Sequence, residues 1–105
     1  KTYYILLSLI VLISCHSKTE STEFQNGDII FQTSTSGQSK AIQIATDSKY
    51  SHMGIIYKQG KDFFVYEAIQ PVKLTPLTDW IKRGENEHYV VKRIKNSQNL
   101  LTPET

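Results

Sequence analysis

The stretch "YSHMGIIYKQGKDFFVYEA", from Tyr50 to Ala68, constrains the fold more than any other part of the chain. Two runs rich in β-branched and aromatic residues flank Gln59-Gly60. That pattern reads as two antiparallel strands joined by a tight turn. Two residues do not suit a packed hairpin: His52 near its start and Glu67 near its end. With Gln59-Gly60 as a two-residue loop, Lys58 stands opposite Lys61, Ile56 opposite Phe63, Gly54 opposite Val65 and His52 opposite Glu67. A four-residue loop about the same pair keeps this register, whereas a three- or five-residue loop puts one of the two groups out of line. In the even register both side chains share one sheet face, with Cβ atoms about 4.5–5.5 Å apart. Gly54 beside His52 leaves the space above that face open. The expectation is that His52 and Glu67 meet.

The segments around the hairpin suggest its partners. Asn26-Gly27 is turn chemistry, and Ile29, Ile30 and Phe31 form a short buried strand. In "SGQSKAIQIATDS", Ala41, Ile42, Ile44 and Ala45 fall at helical spacing, with Ser36 or Ser39 as N-cap. "KLTPLTDWIKRGE" predicts a short amphipathic helix capped by Thr75, with Pro76 in its first position. Leu77, Trp80 and Ile81 share a face of that helix, and Gly84 ends it. "HYVVKRIK" is a further strand. The order strand, helix, two strands, helix, strand points to an α+β domain with an antiparallel sheet. Thr102-Pro103-Glu104 has the form of another helix start, so the domain is expected to be incomplete at its C-terminus.

At the other end, Lys1 is followed by "TYYILLSLIVLIS", an apolar run of signal-peptide length that is short for a membrane span of about 20 residues. "LISC" resembles a bacterial lipobox, with Leu12, the small Ser14 and then Cys15 as the residue to be lipidated. The expected organisation is a lipoprotein signal over 1–14, a polar tether over 15–23 and one domain over 24–105. A chain of 105 residues, 39% of them hydrophobic, suits one small domain. A net charge of +2 argues against nucleic acid, and the cluster Lys92-Arg93-Ile94-Lys95 reads as a solvated strand end. One cysteine allows no internal disulfide.

A His–Glu pair across two strands serves equally as a surface ion pair, worth about 0–1 kcal/mol. In a catalytic role His52 is the base and Glu67 fixes its tautomer. A nucleophile is then needed. Cys15 belongs to the signal, Ser51 alternates to the face opposite His52, and Ser48 and Thr46 have no group to activate them. His16, His52 and His88 do not fall at zinc-ligand spacing, so no metal or cofactor is expected.

"NGDIIF", "SKAIQIATDSKYSHMGIIY" and "VYEAIQPVKLTPLTDWIKRG", in that order, closely resemble the YiiX/YaeF-type permuted papain-like amidases, a branch of the NlpC-like cysteine hydrolases. The likeness runs from about Phe24 to the end. It implies a circularly permuted papain-like core in which the His and its acid come first and the nucleophilic Cys opens a later helix, beyond Thr105. The family's catalytic His falls on His52 and its orienting acid on Glu67. Tyr50 lies in the Tyr-Ser-His segment and is a candidate to line the pocket. Gly27 and Asp28 match the opening Gly-Asp, with Asp28 a candidate substrate contact or simply a turn residue. The implied protein is a membrane-anchored cysteine hydrolase of the bacterial cell envelope, acting on cell-wall peptides or acyl-amides. The alternatives are a non-catalytic peptide- or lipid-binding module, and an acyltransferase or lipid-amide hydrolase.

Overall fold

The computed structural model describes residues 23–104. The signal segment, Cys15 and all of the tether except Glu23 lie outside the described residues. The elements are β1 (Ile29–Ser34), α1 (Ser39–Thr46), β2 (His52–Gln59), β3 (Asp62–Glu67), β4 (Lys73–Pro76), α2 (Leu77–Arg83), β5 (Gly84–Lys92) and a short α3 (Ser97–Leu100). The five strands form one antiparallel sheet in the order β4-β3-β2-β1-β5.

The hairpin forms as expected, but its turn sits one residue later. Gln59 pairs with Asp62 and Ile56 with Val65, so the loop is Gly60-Lys61. Gly60 has φ +63° while Lys61 is not among the residues with positive φ. A glycine in the first loop position matches the right-handed twist of the strands, the pattern of a type II′ turn. The pairing therefore slips by two residues from the expected register. An even slip changes every partner but no side chain's face, so Gly54, Ile56, Val65 and Glu67 still point inward. Continuing the register places Gly54 across from Glu67, and His52 becomes Glu67's diagonal neighbour.

Gly54 does not open space above the face. A Cβ there would come within 2.2 Å of Val65 Cγ1 and 2.8 Å of the Tyr66 carbonyl oxygen. The glycine lets β3 approach closely and Val65 fill the gap. Gly54→Ala should therefore lower stability by about 1–3 kcal/mol, which a urea melt would read. An unchanged midpoint would mean that β3 shifts freely.

The inward faces of β1, β2 and β3 supply Ile30, Ile56 and Val65, and α2 covers them with Leu77 and Trp80. Gly84 ends α2 as expected, donating its N–H to the Ile81 carbonyl. The entry differs: Pro76 is the N-cap, with ψ 135°, and no side chain caps the helix. Thr75 instead belongs to β4, a strand hidden in the sequence inside what reads as a helix entry. Its hydroxyl is diverted to Glu67.

The first helix begins at Ser39, with Gln38 as an N-cap that makes no side-chain bond. Neither serine caps it, because Ser39 Oγ bonds to Ser51 Oγ, while Ser36 contributes its backbone carbonyl to the Ser39 N–H. Its apolar positions do not enter the core, and Ile44 is 71% exposed. At the C-terminus, a helix occurs at α3, and Pro103 and Glu104 lie in a turn rather than opening a helix at Thr102.

Candidate active site

His52 opens β2 and Glu67 closes β3, so antiparallel pairing brings both to one end of the sheet. Their side chains meet despite the diagonal register, with His52 Nε2 3.0 Å from Glu67 Oε1. Glutamate is long enough to span the offset. Glu67 is 1% exposed, and an ionised carboxylate at that depth needs partners. It has three: the Thr75 hydroxyl and Arg83 Nη2 both donate to Oε2, while His52 takes Oε1. Burial by itself raises the Glu67 carboxyl. The bonds from Thr75, His52 and Arg83 outweigh it and hold the group below its usual value.

An ionised Glu67 accepting at Oε1 fixes the proton of a neutral His52 on Nε2. The Nδ1 lone pair is then free to take a proton from another group. Trp80 holds the ring from one side, with centroids 5.8 Å apart and planes at 26°. The arrangement is an imidazole with one nitrogen oriented and one available, as general-base chemistry requires.

The other candidates divide. Tyr50 flanks His52 in a shallow hollow shared with Phe31 and Met53, and its hydroxyl lies 3.2 Å from His88 Nε2. Asp28 is not brought to His52. It is fully buried beyond the far end of β1, where Arg93 bonds both its oxygens at 2.7 and 2.9 Å and the Gln25 N–H donates at 2.8 Å. Burial raises the Asp28 carboxyl, but Arg93 and Gln25 prevail and lower it. Arg93, expected as part of a solvated strand end, is thus half-spent on a structural clasp.

Ser51 lines the same cleft as His52 rather than the opposite face, because β2 starts only at His52 and strict alternation does not reach back to residue 51. Its hydroxyl accepts from the Ser34 N–H at 2.8 Å and pairs with Ser39 Oγ at 2.7 Å. Thr46 Oγ1 donates to the Ile42 carbonyl, and Ser48 Oγ accepts from the Tyr50 N–H. Each hydroxyl has a structural bond. Thr75 and Arg83 were not legible as site residues, since nothing in their spacing marks them.

Both depressed carboxylates make stability depend on acid. A group whose pKa is lowered by folding stabilises the fold above the unfolded value, about 4, and that stabilisation fades as pH falls through the lowered value. The melting temperature should therefore hold from neutrality to about pH 5 and drop below about pH 4. Asp28→Asn and Glu67→Gln should melt lower at neutral pH and converge on the parent in acid. Parallel curves at all pH values would show that these carboxylates are not the cause.

Residues 23–104 match the family described as permuted papain-like amidase enzymes, YaeF/YiiX, C92 family. The chain belongs to this family. Among YaeF/YiiX relatives, it is 46% identical over 100 residues to the uncharacterized protein YiiX of Escherichia coli (strain K12), covering 95% of this chain and 48% of that protein. It also superposes on the crystal structure of the metalloprotein yiiX from Escherichia coli O157:H7 with a TM-score of 0.66 and 56% identity. That match covers 68% of this chain and 39% of the solved one. The chain thus spans about half the length of the curated relative it matches, and it shares the α+β fold of a permuted papain-like family.

Proposed function

We propose that this chain forms the His–Glu half of a cysteine amidase of the bacterial cell envelope. The observation that carries the reading is His52 Nε2 on a buried carboxylate that is itself held ionised by Thr75 and Arg83. Membership of an amidase family supports it. The nucleophile in this reading is a cysteine beyond Thr105 that opens a helix beside His52. Its thiol proton passes to His52 Nδ1, and the thiolate adds to the amide carbonyl carbon. The C–N bond then breaks as the imidazolium protonates the leaving amine. Water, deprotonated by His52, cleaves the thioester to a carboxylic acid and restores the thiol. Glu67 keeps the ring in place and steadies its positive form.

Among the described residues no group of three or more His, Cys, Asp or Glu could hold an ion, and Glu67 already has both oxygens engaged, one of them by a guanidinium.

The test is amide hydrolysis by the full-length gene product before and after iodoacetamide. Turnover lost on alkylation of a single downstream cysteine supports the reading. Turnover that survives, or a gene with no cysteine downstream, would sink it. Envelope anchoring through Cys15 is tested separately: labelled palmitate should enter the parent protein and not Cys15→Ala.

A further inference from the structure

A cleft of about 780 Å³ opens beside His52, between the end of β1 and the end of α2. Lys82 and Arg83 stand on its wall, and among the described residues no acidic side chain lines it. The Lys82 ammonium makes no ion pair or hydrogen bond with the other described residues. Arg83 spends Nη2 on Glu67, which fixes the guanidinium in place, and its Nε and Nη1 donors have no partner among the described residues. Arg83 and His52 bond to opposite oxygens of one carboxylate, so cation and imidazole stand a few bond lengths apart. A guanidinium held in this way is preorganised for a planar oxyanion.

The same wall contains Gln32, abreast of His52 in the β1–β2 register and 2% exposed. Its Oε1 is buried and has no hydrogen-bond partner among the described residues. Gly84 makes this placement possible, since a Cβ there would come within 2.3 Å of that oxygen. A buried acceptor without a donor is costly to maintain, and the residue that carries this one belongs to the wall of the cleft.

We propose that the His52 cleft takes amides that carry an oxyanion, carboxylate or phosphate, close to the amide bond. Lys82 and Arg83 bind the oxyanion, and Gln32 accepts the amide N–H. N-acyl amino acids and peptides with a free terminal carboxylate have both features. This substrate class rests on the amidase reading above, yet binding and turnover separate the two.

Affinities are measured by calorimetry on full-length His52→Ala protein, in which nothing is turned over. The probes are N-acetylalanine, its neutral methylamide and its phosphonate analogue. The anionic probes should bind at least about tenfold tighter than the methylamide, an advantage that shrinks with added salt. Carboxylate against phosphonate tells which oxyanion is preferred. Lys82→Gln, an exposed change, should reduce the advantage severalfold and leave methylamide binding unchanged. Gln32→Leu should weaken all three probes alike. Equal affinity for charged and neutral probes, or an advantage untouched by Lys82→Gln, overturns the proposal. If neutral amides are nevertheless hydrolysed by the parent protein, the amidase reading stands and only the substrate class falls. An anion preference without any turnover sinks the amidase reading and keeps the site.

Discussion

Replacing His52 with alanine in the full-length protein will lower kcat for amide hydrolysis by about 10²–10⁴-fold, the usual contribution of a positioned acid–base group. The melting curve will move less, because the ring is 22% exposed and the buried Glu67 carboxylate keeps Thr75 and Arg83 when it loses the imidazole. Glu67→Gln tests the same unit from behind. The amide fills the space of the carboxylate but carries no charge, so the imidazolium formed during the reaction loses its counter-ion. Its second oxygen position also turns into a poor match for Arg83 and Thr75, both of which donate. That variant should lose activity while keeping substrate affinity. If His52→Ala retains more than about a tenth of the parent rate, far short of the expected loss, the imidazole is not the base and the pair is structural.

Trp80→Ala will have the largest effect on stability, about 3–5 kcal/mol. Against a total of roughly 5–15 kcal/mol for a domain of this kind, that is enough to unfold a marginal one. Trp80 is fully buried and is the largest side chain among the five buried hydrophobics of the described residues. It also backs the His52 ring, so the same truncation releases the imidazole on one side. Trp80→Phe separates the two roles. It keeps an aromatic surface against His52 and removes an indole N–H that has no partner among the described residues, so it should cost less than the alanine change, which empties the whole site. An unfolding free energy from urea melts for Trp80→Ala within about 1 kcal/mol of the parent would contradict this packing.

How much of this was legible depended on the range of the interaction. The hairpin was readable because strand periodicity and turn chemistry are local, and a glycine marks the turn. Its register was not, since Gln59-Gly60 and Gly60-Lys61 both contain that glycine and only backbone angles choose between them. The difference leaves the site intact: a two-residue slip preserves faces, and a glutamate reaches a diagonal neighbour. Strand β4 was invisible, because four residues ending in Thr-Pro look like a helix cap until Glu67 arrives to claim the threonine. Asp28 looked like a site residue by position in a motif, and became a clasp once Arg93, distant in sequence, folded onto it.

By itself the sequence determined an α+β sheet protein with one His–Glu pair on the inward face of a hairpin, because those features follow from periodicity and parity along the chain. Tertiary structure alone decided what the pair is made to be. Thr75 from β4 and Arg83 and Trp80 from α2 converge on it from segments with no shared spacing. Their effect is electrostatic and steric: a carboxylate kept ionised in a dry place, and an imidazole held with one nitrogen free. Such a state depends on which groups surround a buried charge, and neighbours in space are what a linear pattern does not record.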